Sequence, residues 1–167
     1  APWASIDTDY FATSRIPIVD GRSFDGRDIA SGRPVVIVNE TLARHFWPNQ
    51  SAIGRFLMVR GQRAEVVGVA RDGKYLFIWE SPRGMVYRPM AQQPTDRATL
   101  LVRSTRDPSG LMAELQDVFR QVDPVVRVFD VRTMREHLVR ETGGFLVFEP
   151  GAMFTGIFGS RLSAPMT

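Results

Sequence analysis

The residues best suited to chemistry in this 167-residue chain are few and poorly matched in spacing. There is no cysteine, which removes a thiolate zinc site, a disulfide framework and a cysteine nucleophile. The two histidines, His45 and His137, fall in separate helical segments without a second histidine three or four positions away, so neither forms a helical metal pair. Asp20, Asp25 and Asp28 crowd one Gly-containing stretch, but a calcium loop places oxygen ligands at alternate positions and closes on a glutamate, which is missing here. These aspartates are expected to be solvated turn formers. Gly151 and Gly156 have phosphate-loop spacing, yet Ile157 and Phe158 stand where the lysine and hydroxyl residue belong. No G-x-S-x-G elbow is present. The expectation is no catalytic, metal or cofactor-binding residue.

One stretch points to recognition. Tyr75, Phe77 and Trp79 alternate with Leu76 and Ile78, directly after Lys74, the only lysine. In a strand the three aromatic rings share one face and the two aliphatic chains the other. Burial on both faces is the plain reading. The alternative is an exposed aromatic ladder that meets a lipid, an apolar ligand or a partner. Lys74, Tyr75, Phe77 and Trp79 are the candidate partner-contact residues.

The elements around these residues have clear signals. Ile16-Pro17-Ile18-Val19 reads as a short strand, with Pro17 favouring an edge. Val35 to Val38 is a β-branched run suited to a buried strand, with Asn39 capping the helix that follows. Leu42, Ala43, Phe46 and Trp47 share a face of that helix, and Pro48 ends it. Phe56–Arg60 and Ala64–Ala70 read as a hairpin joined by Gly61-Gln62-Arg63, and Leu76–Trp79 and Met85–Tyr87 as further strands. Residues 99–103 form a strand, and Asp107-Pro108 opens a helix over 108–122 with Leu111, Met112, Leu115, Val118, Phe119 and Val122 at helical spacing. A strand over Val126–Val131 and a capping box at Thr133–Glu136 come next. Strand 99–103, helix 108–122 and strand 126–131 make a crossover or a split βαβ unit.

The class that results is α+β, with mixed small sheets and short helices. Length and an ordinary hydrophobic share of 44% allow one domain or two small subdomains. A net charge of +3 without long like-charge runs gives no nucleic-acid tail. From Thr142 to Ser160 only Glu149 is charged, but that central carboxylate and five glycines oppose a membrane span. Residues 141–167 are expected to be an irregular, glycine-rich tail.

Several segments, taken in order, resemble one family. Asp9-Tyr10-Phe11, Ile16-Pro17-Ile18 and Gly21-Arg22-Ser23-Phe24 are similar to the opening of MacB-like extracytoplasmic domains, found in ABC-transporter permeases of the MacB/FtsX type. Val35-Val36-Ile37-Val38-Asn39-Glu40, Ala43-Arg44, Phe46-Trp47-Pro48 and Ile53-Gly54-Arg55 resemble the following motif. So do Glu65 to Val69, Met85-Val86-Tyr87-Arg88-Pro89 with Gln92, Leu101-Val102-Arg103 and Asp130 to Met134. The resemblance runs over about residues 7 to 139. It implies two subdomains, one similar to the porter folds of efflux pumps, inserted between transmembrane helices on the periplasmic side. It also implies that residues 1–140 form this domain with its N-terminal part missing.

The same resemblance implies a non-enzymatic role, relaying ATP-driven conformational change to substrate or partner proteins. Its implied partners are the permease's own transmembrane helices, an ATP-binding subunit or domain, periplasmic partner proteins and a second copy in a homodimer. No cofactor is implied. The helices at 108–122 and after Thr133 are the expected junction with the membrane stem. The competing class is a soluble binding module that captures an apolar ligand on the aromatic strand.

Overall fold

The computed structural model describes residues 1–73, 81–93, 95, 97–123, 127–141 and 153–159. The candidate contact residues Lys74, Tyr75, Phe77 and Trp79 lie outside the described residues. The chain forms two compact units, Ala1–Pro94 and Thr95–Thr167.

The first unit is a mixed sheet built around β3 (Val35–Asn39), in which every residue is buried. Successive side chains of β3 point to opposite faces, so two cores form. Val35 and Ile37 join Ile6, Phe11, Phe24, Ala70, Met85 and Tyr87 on one face. Val36 and Val38 join Leu42, Ala52, Ala64, Val66, Val69 and Val86 on the other. Burial on both faces explains the unbroken β-branched run. The remaining strands are β1 (Trp3–Ile6), β2 (Ile18–Gly21), β4 (Phe56–Val59), β5 (Gln62–Ala70) and β6 (Val86–Pro89). Their order is β1-β6-β3-β5-β2, with β4 also on β5. β1 runs parallel to β6 and β3 parallel to β5, and the other pairings are antiparallel. β2 is an edge strand that starts just after Pro17, the place a residue without an N–H can occupy.

Two helices close the faces. α1 (Tyr10–Ser14) buries Phe11, whose ring meets Tyr87 edge-on at 4.9 Å between centroids. α2 (Glu40–Phe46) buries Leu42 and ends before Pro48, as its sequence predicts. Its expected apolar face is narrower than the spacing suggests: Phe46 is 52% exposed.

Two local features depart from the sequence reading. The β4–β5 turn is Arg60-Gly61, both with positive φ (51° and 79°), so Gln62 and Arg63 belong to β5 and not to the loop. A two-residue turn with this backbone matches the twist of the hairpin. In β5, Val36 pairs with Val66 but Ile37 pairs with Gly68, so β5 carries an extra residue. That bulge flips the alternation: Val66 and Val69 serve one core, Ala70 the other.

The second unit contains β7 (Arg97–Arg103), α3 (Pro108–Val122), β8 (Arg127–Thr133), α4 (Met134–Glu141) and β9 (Met153–Gly159). β9 lies between β7 and β8 and is antiparallel to both, so β7 and β8 are parallel to each other. This is the split βαβ arrangement. The sequence suggests an irregular tail beyond residue 140, whereas Met153–Gly159 is the central strand of this sheet, in full register with Arg97–Arg103. The glycines that argue against a helix are compatible with a strand whose two edges are paired. The capping box forms as read: the Glu136 carboxylate accepts from the Thr133 amide at 2.7 Å, and the Thr133 Oγ1 accepts from the Glu136 amide at 3.1 Å. On α3, Leu111, Met112, Leu115 and Phe119 are half-buried, while Val118 and Val122 are exposed.

Candidate functional site

The most connected polar centre lies where β3 passes into α2. Asn39 is fully buried. Its Oδ1 accepts from the Leu42 amide at 3.2 Å, which is the expected helix cap. The same oxygen accepts from the Met85 amide at 2.8 Å. Its Nδ2 donates to Asp72 Oδ1 at 2.7 Å and to the Arg83 carbonyl at 2.7 Å. One amide side chain therefore holds both stems of the segment that contains Lys74, Tyr75, Phe77 and Trp79.

Asp72 completes the clamp. Its carboxylate accepts from the Thr41 amide at 2.9 Å, from Thr41 Oγ1 at 2.8 Å and from Arg44 Nη2 at 2.8 Å. Its own amide donates to Glu40 at 3.0 Å. A carboxylate beside the first turn of α2 also suits the helix dipole. On the second stem, a Cβ on Gly84 would lie 2.6 Å from Leu42 Cδ1, so this strand of chain is pressed against the helix. Sequence reading finds Asn39 as a cap and gives Asp72 no role. It misses that they are partners, because a contact across 33 residues leaves no local signature.

The aspartate group resolves differently from the expectation. Asp20 is exposed and accepts from Ser51 Oγ at 3.0 Å. Asp28 is buried, not solvated, and forms a two-pronged pair with Arg22 at 2.7 and 2.9 Å. Asp25 binds the Arg27 side chain at 2.7 and 2.9 Å. The Asp25 amide donates to Asp28 at 2.9 Å, and Arg22 supplies the charge that makes its burial tolerable. Among the described residues no group of three or more His, Asp or Glu is arranged to hold a metal ion. His45 is exposed on α2, and His137 is half-buried on α4.

Burial by itself pushes the Asp28 carboxyl up, but the hydrogen bond from Arg22 and the Asp25 amide hold it below its ordinary value. Asp25 is held well below that range, chiefly by the Arg27 side chain and amide. Both groups are depressed in the folded state, so their contribution to stability is present above the unfolded value of about 3.9 and is lost as pH falls below it. In Arg22→Gln, Asp28 keeps the Asp25 amide but loses the guanidinium that opposes its burial, so its pKa rises. The stability gap between wild type and Arg22→Gln is therefore expected to be wider at pH 7 than at pH 3, as read from urea unfolding midpoints. An equal gap at both pH values would contradict this assignment.

The fold compares with a known transporter domain. It is similar to the periplasmic region of MacB from Actinobacillus actinomycetemcomitans, with a TM-score of 0.53 and 14% identity, covering 72% of this chain and 56% of that one. That likeness shows the fold, an α+β architecture. The profile of the MacB-like periplasmic core domain matches residues 3–126, and the chain belongs to that family. Its place is the periplasmic side of the membrane, as a domain of a MacB-like ABC transporter permease.

Two relatives align over parts of the chain. The macrolide export ATP-binding/permease protein MacB of Chromobacterium violaceum is 29% identical over 104 residues, 59% of this chain and 16% of that protein. The Bacillus subtilis ABC transporter permease YvrN is 31% identical over 67 residues, 40% of this chain and 16% of that protein. The chain thus spans less than a fifth of the relatives it matches. No helix among the described residues is long and apolar enough to cross a membrane.

Proposed function

We propose that this domain is non-enzymatic and relays ATP-driven conformational change from the permease's transmembrane helices and its ATP-binding subunit or domain to a substrate or periplasmic partner protein. The family match supports the setting. The observation that carries the reading is the Asn39–Asp72 clamp, which fixes both stems of the 74–80 segment to the two-sided core. A closely packed sheet covered on both faces resists deformation and can move as a body. A group tied to it by several hydrogen bonds moves with it.

On this reading Lys74, Tyr75, Phe77 and Trp79 form the contact surface, because the few residues that dominate interface energies are enriched in Trp and Tyr. α3 and α4 are the side nearer the membrane stem, and the exposed Val118 and Val122 on α3 fit such a junction. A macrolide is the first substrate to test, since the Chromobacterium relative is a macrolide export protein.

The test uses the full permease that carries this domain. Phe77→Ala with Trp79→Ala is expected to lower export at least tenfold, on the order expected for two lost aromatic anchors. ATP hydrolysis should remain. Unchanged export in the double variant would sink the contact assignment. Saturable binding of an apolar ligand by the isolated chain, lost in Trp79→Ala, would instead favour a capture module.

A further inference from the structure

A second site lies away from the clamp, where the tip of the β4–β5 hairpin meets β1 and β6. Arg88, on β6, is 7% exposed. A buried cation ordinarily has an acidic partner. Among the described residues no carboxylate reaches Arg88, and its hydrogen bond is a long one, 3.4 Å from Nη2 to Gln62 Oε1. Its other neighbours are the Trp3 ring, whose centroid is 5.9 Å from the guanidinium carbon, and Arg60, a second cation. The Arg60 guanidinium carbon is 5.4 Å from that same centroid. An indole face attracts a guanidinium but leaves its in-plane N–H donors unused. The indole side of the corner is open to solvent, with Trp3 43% exposed.

Two guanidinium groups thus gather at one indole, supplied by separate elements. Burial and the like charge of Arg60 both lower the Arg88 pKa from its ordinary value, so the arrangement works against itself unless a negative group joins it. Arginine forks match planar oxyanions, and the indole gives an apolar flank for whatever carries the anion.

We propose that the Trp3–Arg60–Arg88 corner is an oxyanion-binding site that takes a carboxylate, either from an acidic side chain of a protein segment or from a free small anion. This goes beyond the relay reading and does not depend on it.

The test is a titration of the ¹⁵N-labelled full chain at constant ionic strength with three probes: a capped Gly-Glu-Gly peptide, acetate and inorganic phosphate. The expected result is a saturable shift of the Arg60 and Arg88 Nε–Hε signals. Arg60→Asn suits the left-handed backbone at that turn (φ 51°) and should leave the fold intact. It is expected to weaken binding roughly tenfold, the scale of one charge-assisted contact. Tighter binding of the peptide than of acetate or phosphate would assign the site to a protein segment; equal binding would assign it to free anions. No saturable shift with any probe, or an affinity unchanged in Arg60→Asn, would overturn the proposal.

Discussion

Asn39→Ala is expected to destabilise the first unit by about 3 kcal/mol, a large share of a small domain's stability. The reason is the number of groups left behind. The Leu42 and Met85 amides are buried bonds to the lost oxygen, and each unsatisfied donor costs about 1–3 kcal/mol. The Arg83 carbonyl loses its donor as well. Asp72 keeps Thr41 and Arg44, so the first stem stays charged and anchored while the second is released. Urea unfolding gives the size of the loss, and amide hydrogen exchange gives its place. Protection should fall first at Met85 and Leu42. A loss below 1 kcal/mol with Met85 still protected would mean that the clamp does not hold the second stem. Asn39→Asp separates the two functions of the side chain. It keeps the accepting oxygen but sets a second carboxylate against Asp72, so it should be worse at neutral pH than at acid pH.

Gly68→Ala should be about as damaging, for a steric reason. A Cβ at this position would lie 2.2 Å from the Arg22 carbonyl oxygen and 3.2 Å from Ile37 Cγ1. The first neighbour is backbone and cannot swing aside. Relief requires parting β2 from β5 or distorting the bulge, and a loss of about 3 kcal/mol is the scale of such overpacking. Gly61→Ala is the comparison. Gly61 has a positive φ of 79° but open space around its Cβ position, so it should cost only about 1–2 kcal/mol. If both substitutions cost the same, the close approach of Arg22 is not what makes Gly68 necessary.

These two positions show what was legible in the sequence and what was not. Asn39 stands after four β-branched residues and before an amphipathic turn, so its capping role could be read locally. Its bonds to Asp72, Arg83 and Met85 arise from strand order, which local spacing does not encode. Gly68 interrupts an apolar strand, a known sign of a bulge or close approach, yet the partner across the edge was not identifiable. Asp28 looked like its solvated neighbours because burial there depends on Arg22 folding back over six residues. Arg88 was visible only as part of a family motif. β9 was hidden for a different reason: its glycines weaken every local propensity, and its strand character comes from having a partner on each side. The capping box and the edge position of β2 were legible because each is carried by adjacent residues, whereas the sequence left a crossover or a split βαβ open until β9 was placed between β7 and β8.

On the relay proposed above, the first unit moves as a body when ATP acts on the permease. The chain contains no cysteine, so an introduced one is the single thiol of this domain. Met58 is 68% exposed on the outer face of the hairpin and suits a spin label after Met58→Cys. With the other label at a fixed transmembrane position of the full permease, electron–electron distance measurements should show a shifted but equally narrow distribution on ATP binding. An unchanged distribution while the permease hydrolyses ATP and exports substrate would contradict the relay.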